Sequence, residues 1–410
     1  MRKRIDVDEL RPGMRVVTID RSWLVTPFLS HRLTITSSEQ IEQLKACGVQ
    51  AVEIEVDGDQ ETIEQTVSEP LTPSRGSNGK TSAPVRQEEC PDPVSFEEEL
   101  ATAKEIYRAA KAVIQGAMQD VRLGRAINME AVDRVVSDMA ESVLRNLDAL
   151  TSLSRLKRFD EYTFYHSVNT SLLAMALGRD LGFAKSELHQ VGVGALLHDI
   201  GKTRIPNELL NKPARLEPDE MELMKQHVMR GVEILSETTG LSEVHTKPAL
   251  EHHERVDGTG YPFGRSKDGI SRFGLIASIV DIYDAITSDR CYHRGRPSHD
   301  ALQYLYLLSL KGHLDAGLVQ RFIRIVGVYP VGSLVELNTG EVAVVCRVHR
   351  EAPLAPRVII VKSASNVLLS KPIECDLREE AKISGRTIHA VKGPHDVGID
   401  PAVYLDKEPI

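Results

Sequence analysis

The spacing of apolar and polar positions along the 410-residue chain changes twice, and the changes mark out its organisation. In residues 1–66 short runs alternate with period two, as in Met14-Arg-Val-Val-Thr-Ile and Val49-Gln-Ala-Val-Glu-Ile-Glu-Val, which predicts strands. Between these runs Ser37-Ser-Glu-Gln-Ile-Glu-Gln-Leu reads as a helix with a serine cap and a capping-box partner. A small α+β module follows from this pattern. Residues 67–94 are rich in Pro, Ser, Gly, Thr and charge, bury too little apolar area to offset chain entropy, and read as a flexible linker.

From Ser95 the period becomes helical. Acids follow the serine in Phe96-Glu-Glu-Glu, and Leu100, Ala103, Ile106, Tyr107 and Ala110 share one face. Residues 95–328 are therefore expected to form an all-α, multi-helix domain. The stripe Val132, Val135, Met139 and Val143 fits a helix packed on the core better than one paired with a second chain in a homodimer. Beyond Tyr329-Pro330, residues 329–410 return to period two. Ser333-Leu-Val-Glu-Leu, the Asn338-Thr-Gly340 turn and Glu341-Val-Ala-Val-Val-Cys346 predict a hairpin, with Val358-Ile-Ile-Val-Lys as a further strand. The fold class is mainly α, with a small α+β module before the helices and a short β-rich segment after them.

Charge and composition narrow the partners. A formal net charge of -9 argues against general affinity for duplex nucleic acid, so a polyanionic ligand needs a local basic pocket. The five cysteines are scattered and form no CxxC, which argues against a thiolate metal site or a disulfide framework. The N-terminal MRKRIDVDEL has no apolar core of a signal peptide, and no stretch reaches the length of a membrane span. A cytoplasmic protein without membrane association is the expectation.

Candidate chemistry lies in the helical region, where His and Asp residues sit on apolar faces. His198-Asp199 ends Val191-Gly-Val-Gly-Ala-Leu-Leu, with Gly201 placed to stop that helix in the left-handed conformation. His166 shares a face with Thr170, Leu173 and Leu177, and His227 with Met224, Gly231 and Ile234. His252-His253 follow Pro248-Ala-Leu-Glu, and Asp281 ends Leu275-Ile-Ala-Ser-Ile-Val. One such histidine alone is usually a hydrogen-bonded core residue. Seven buried imidazoles and carboxylates, two pairs of them adjacent in sequence, are better explained by a common positive charge. Imidazole and carboxylate without thiolate suit iron, manganese, nickel or zinc, and Asp199 has the second oxygen needed to bridge two ions. Seven ligands are too many for one ion that keeps a site open, so two divalent metals are expected.

In order, His166, His198-Asp199-Ile-Gly-Lys202, His227, the string His252-His-Glu-Arg-Val-Asp-Gly-Thr-Gly-Tyr-Pro262 and Asp281-Ile-Tyr-Asp-Ala-Ile-Thr-Ser-Asp-Arg290 resemble the HD-GYP domains, a branch of the HD metal-dependent phosphohydrolases. The resemblance covers roughly residues 140–330, and the N-terminal module resembles the DUF3391 domain that precedes some of them. It implies iron or manganese as cofactor and hydrolysis of cyclic di-GMP to pGpG and on to GMP. A hydroxide shared by two metals is a nucleophile at neutral pH. In this reading Asp199 and Lys202 are catalytic, with Lys202 reaching a non-bridging phosphate oxygen. Arg290 and Arg294 contact phosphate, Gly260 and Tyr261 wall the pocket, and Glu254, Asp257 and Asp284 support the ligands from behind.

Two positions depart from the family pattern. Tyr162 stands where some members have a glutamate for a third metal, and the adjacent Glu161 lies about 100° away around the helix, so the site is expected to be dinuclear. His293 replaces a basic residue often found there, which bears on substrate affinity. Two other readings are a cyclic di-GMP sensor that engages protein partners of the pathway without turnover, and a hydrolase of another nucleotide.

Overall fold

The computed structural model describes residues 2–19, 33–35, 41–42, 44–45, 51–55, 92–153, 162–288, 295–349 and 352–405. Ser37, the span 67–91, Glu161, Arg290, His293 and Arg294 lie outside these residues. Contacts divide the chain into two units, Met1–Glu89 and Cys90–Ile410.

In the first unit β1 (Arg2–Asp6), β2 (Arg15–Ile19), β3 (Leu33–Thr34) and β4 (Ala51–Glu55) form an antiparallel sheet of order β1-β4-β2-β3. The alternation read from the sequence puts Val52 and Ile54 of β4 inward with Ile5, Val16, Ile35 and Leu44. Residues 41–42 and 44–45 are helical, as the capping pattern predicts.

The second unit opens with α1 (Phe96–Arg122), whose cap forms as the sequence indicates. The Ser95 hydroxyl accepts from Glu98 N at 3.3 Å, and Glu98 accepts from Ser95 N at 3.2 Å. It is followed by α2 (Met129–Arg145), α3 (Leu147–Leu153), α4 (Tyr162–Asp180) and α5 (Lys185–Leu196). The stripe Val132, Val135, Met139 and Val143 is buried within the single chain, where α2 packs on α1 and α5. A buried Glu99 fastens α1 to α2 through Ser142 (2.7 Å) and Arg145 (2.7 Å). Next come α6 (Asn207–Leu210), α7 (Pro218–Ser236), α8 (Glu243–Glu251), α9 (Arg272–Thr287), α10 (Ser298–Leu310) and α11 (Ala316–Val326). The described side chains from Tyr165 to Leu177 of α4 and most of α9 are buried, so these two helices run through the middle of the bundle.

The C-terminal residues of this unit form an antiparallel sheet of order β8-β7-β6-β5-β9 from β5 (Leu334–Leu337), β6 (Val342–Arg347), β7 (Arg357–Lys362), β8 (Leu368–Asp376) and β9 (Ile388–Lys392). β5 and β6 are the predicted hairpin, with Gly340 at φ +83° in its turn. Val342 to Val345 are buried without alternation because both faces of β6 are covered: Ala343 and Val345 join one apolar cluster, Val342 and Val344 another. The chain is thus mainly α, with β structure before and after the helical bundle.

Candidate metal centre

Five segments bring the predicted ligands to one place. His166 projects from the second turn of α4, His227 from the middle of α7, Asp281 from the middle of α9, and His252 and His253 lie at the end of α8. The HD pair corrects a sequence expectation. Helix α5 stops at Leu196, so His198 and Asp199 stand on a turn that leads into a 3-10 segment, Ile200–Arg204. Gly201 is not in the left-handed region; it is small because α7 passes against it. A Cβ there would lie 2.0 Å from His227 O and 2.4 Å from Gly231 N, both backbone atoms.

The two oxygens of Asp199 face different imidazole sets. Oδ2 lies 3.6 Å from His166 Nε2 and 3.4 Å from His198 Nε2, while Oδ1 lies 3.5 Å from His227 Nε2 and 3.9 Å from His252 Nε2. Asp281 Oδ1 joins the first set, 3.1 Å from His166 Nε2 and 3.8 Å from His198 Nε2. His253 joins the second: one ligand atom each from His227, His252 and His253 fall within 4.8 Å of one another. All seven predicted ligands therefore converge.

Their outer partners set the tautomers. Nδ1 of His198 faces Ala195 O at 2.7 Å, that of His227 faces Met224 O at 2.7 Å, that of His252 faces Pro248 O at 2.9 Å, and that of His166 faces Asp284 Oδ2 at 2.8 Å. Each partner accepts only, so each Nδ1 donates, and a neutral ring then presents its Nε2 lone pair to the centre. Two such lone pairs, on His227 and His252, face each other at 3.4 Å. That arrangement is repulsive without a cation between them. His198 Nε2 and Asp199 Oδ1 are also buried with no hydrogen-bond partner among the described residues. Orphaned buried groups of this kind are costly, and a pair of divalent cations fits the donor set.

Electrostatics agree. Burial disfavours the charged forms of Asp199 and Asp281, yet Lys202 and His198 hold the first, and His166 and His198 the second, well below the usual carboxylate range. Burial, and then the charge of His198, push His252 down to about 3; burial and His252 push His253 down as well. Against its own burial, His198 is pushed up to about 10 by Asp199 and Asp281. The two carboxylates that raise it are those a bound cation would neutralise.

The loop after His253 is held by carboxylates. Glu254, buried, accepts from Phe263 N (2.8 Å) and Arg265 N (2.9 Å), so it fixes the loop backbone and not an imidazole as expected. Glu251 was not foreseen; it accepts from Arg265 Nη1 at 2.7 Å and from Ser271 N at 2.8 Å, tying the loop's far end to α8. Asp257 caps the turn through Thr259 N (3.1 Å) and pairs with His313 (2.8 Å). Gly258 has φ +80°, whereas a Cβ on Gly260 would meet Arg255 N at 2.4 Å, so the close approach there is of the chain to itself. The Tyr261 ring stacks on His253, 4.5 Å between centroids, with Lys225 Nζ 5.4 Å from its centroid. Lys202 Nζ sits 2.5 Å from Asp199 Oδ2, at the rim of the centre. Asp284 stands behind His166, as expected, and also accepts from Asn169 Nδ2 at 2.9 Å. Asn169, three residues after His166, shares its helix face, a spacing that could have drawn notice.

A bundle that turns five imidazoles and two carboxylates inward, with Asp199 between the imidazole sets, has the character of a metal-dependent hydrolase of the HD class. Comparison with known proteins agrees: residues 134–318 match the HD domain, residues 2–132 match a domain of unknown function (DUF3391), and residues 334–384 match a KOW domain associated with the HD domain. A Pseudomonas aeruginosa protein named a cyclic di-GMP phosphodiesterase is 36% identical over 367 residues, covering 89% of this chain and 86% of its own. A Thermotoga maritima protein of the same name is 34% identical, covering 44% of this chain and 48% of its own. A Vibrio cholerae 3'3'-cGAMP-specific phosphodiesterase is 38% identical, covering 39% of this chain and 30% of its own. The chain belongs to the HD-GYP family of metal-dependent phosphodiesterases. Among the described residues no helix is long and apolar enough to cross a membrane.

Proposed function

We propose that this enzyme hydrolyses cyclic di-GMP, giving pGpG or GMP, with a pair of divalent ions, iron or manganese. The observation that carries the reading is the split of Asp199, one oxygen toward His166 and His198 and the other toward His227 and His252. His166, His198 and Asp281 would hold one ion, and His227, His252 and His253 the other, with Asp199 common to both. When bound, such a pair supplies a water-derived nucleophile at neutral pH and neutralises charge on the phosphoryl oxygens. Lys202, at the rim and now on Asp199, is the cation within reach of a phosphate oxygen once metals relieve that carboxylate. Tyr261, steadied by His253 and with Lys225 over its ring, is assigned to the substrate as a ring or hydroxyl contact, with Gly260 beside it in the same pocket wall. Burial, and then the charge of Asp281, raise the Tyr261 phenol above the ordinary range, so it stays a donor at neutral pH. Arg290 and Arg294 are assigned to the second phosphate from the sequence motif alone. Asp284 orients His166, and Asp257 and Glu254 hold the loop that presents Tyr261. The relatives' names support the substrate class, and the cGAMP-specific one makes a substrate panel part of the test.

The experiment is anaerobic purification, metal analysis, and chromatography of products from cyclic di-GMP, 3'3'-cGAMP and mononucleotides, beside a joint His198→Ala and Asp199→Ala variant. The reading expects two ions per chain and pGpG or GMP from the wild type, with both metal and turnover lost in the variant. A stoichiometric complex without product would make the protein a sensor. Hydrolysis retained by the variant at normal metal content would refute the metal reading.

A further inference from the structure

The hydrogen bonds behind His166 do not end at Asp284. Asp284 accepts His166 Nδ1 on Oδ2 and Asn169 Nδ2 on Oδ1, and Asn169 Oδ1 accepts the hydroxyl of Tyr107 at 2.7 Å. All four side chains are buried. Charge sets the direction of the whole chain. The Asp284 carboxylate can only accept, so the amide of Asn169 must turn its NH2 toward it and its oxygen toward Tyr107, which leaves Tyr107 to donate. Burial, and then the charge of Asp284, raise the Tyr107 phenol well above its ordinary range, which keeps that proton in place. A second contact reinforces the first: the Tyr107 ring stacks on Tyr165, the residue before His166, with centroids 6.1 Å apart, and Lys111 Nζ reaches the Tyr165 hydroxyl at 3.3 Å.

We infer that Tyr107 and Asn169 are positioning residues of the metal centre, fixing the ring plane and tautomer of His166 through Asp284, and that α1 is therefore part of the centre. The inference rests on the reading of His166 as a metal ligand. Tyr107 lies within the residues matched by the DUF3391 model and before residue 134, where the HD match begins, yet it packs in the helical unit. A catalytic fragment cut at the start of the HD match would lose the end of this relay.

A buried tyrosine that merely needed a partner would affect folding alone, and metal binding separates the two cases. Metal-free full-length protein is titrated with Mn(II), the visible spectrum of the Co(II)-loaded form is recorded, and unfolding of the metal-free form is measured. The proteins are wild type, His166→Ala, Tyr107→Phe, Asn169→Ala and the double variant. Groups that touch a ligand imidazole from behind change metal affinity by about 10–100-fold, and an effect two bonds further out should be smaller. Tyr107→Phe is expected to weaken Mn(II) binding about fivefold and Asn169→Ala about tenfold, both with a displaced Co(II) band. The double variant should match Asn169→Ala, because both changes break one chain of bonds. Wild-type affinity and spectrum in Tyr107→Phe, with any change confined to the unfolding midpoint, would overturn the relay. Because this variant removes one hydroxyl only, it keeps the test alive if Asn169→Ala fails to fold. A wild type that binds no Mn(II), or a His166→Ala variant that binds it normally, would instead sink the metal reading, and the relay with it.

Discussion

Replacing Gly201 with alanine tests whether the HD turn is held against α7 as closely as the geometry requires. The added methyl carbon would sit 2.0 Å from His227 O, 2.4 Å from Gly231 N and 2.9 Å from Gly231 Cα, none of which can swing away as a side chain can. Ordinary van der Waals contact begins near 3.4 Å, so the turn and the helix must part by ~1.4 Å. Overpacking of this kind costs roughly 1–3 kcal/mol. The same displacement separates Asp199, two residues before Gly201, from His227, and metal sites tolerate only about 0.2 Å in ligand distance. Metal affinity should therefore fall at least about tenfold. The control is Gly116→Ala on α1, where nothing lies within 4 Å of the new Cβ. There the higher helix propensity of alanine should stabilise by about 0.5–1 kcal/mol. Denaturant unfolding of the metal-free proteins and Mn(II) titration read both effects. A Gly201→Ala protein at least as stable as wild type, with wild-type metal affinity, would mean that the HD turn is not held this closely against α7.

Three further outcomes are expected. Glu254→Ala strands the Phe263 and Arg265 amides, costs roughly 1–3 kcal/mol by urea unfolding, and raises KM more than it lowers kcat, because the loop that presents Tyr261 loosens. Ser95→Ala removes the cap of α1 and costs about 1 kcal/mol in the same assay. Asp376 in the C-terminal sheet is held at about 2, chiefly by its bond to Arg378, against an ordinary value of 3.8. Its folded-state value is depressed, so its contribution is complete above about pH 4 and is lost as pH falls from there toward 2. Unfolding midpoints of Asp376→Asn should accordingly show a flatter acid limb than those of wild type.

The seven clustered imidazoles and carboxylates were legible because polar groups on otherwise apolar helices are conspicuous, and because the pairs His198-Asp199 and His252-His253 recur in one domain. The hairpin at Gly340 and the cap at Ser95 were legible for local reasons, since turn and cap chemistry lies within a few residues. What escaped was set by distance along the chain. His198, His227 and His252 are oriented through Nδ1 by backbone carbonyls, which every residue carries, so no side chain betrays those partners. The purpose of Gly201 depends on Gly231, thirty residues on, and a glycine after a helix looks the same whether it ends that helix or admits another. Glu254 was placed behind an imidazole because it adjoins one, yet the helix end turns it to the loop instead. Tyr107 read as one more apolar position on α1, and only packing against α4 shows its hydroxyl on Asn169.

Anomalous diffraction from manganese-loaded crystals would reveal whether Asp199 bridges two cations. Two peaks per chain are expected, one beside each Asp199 oxygen, the first among His166, His198 and Asp281 and the second among His227, His252 and His253. A single peak, or two peaks that do not share Asp199, would contradict the bridge.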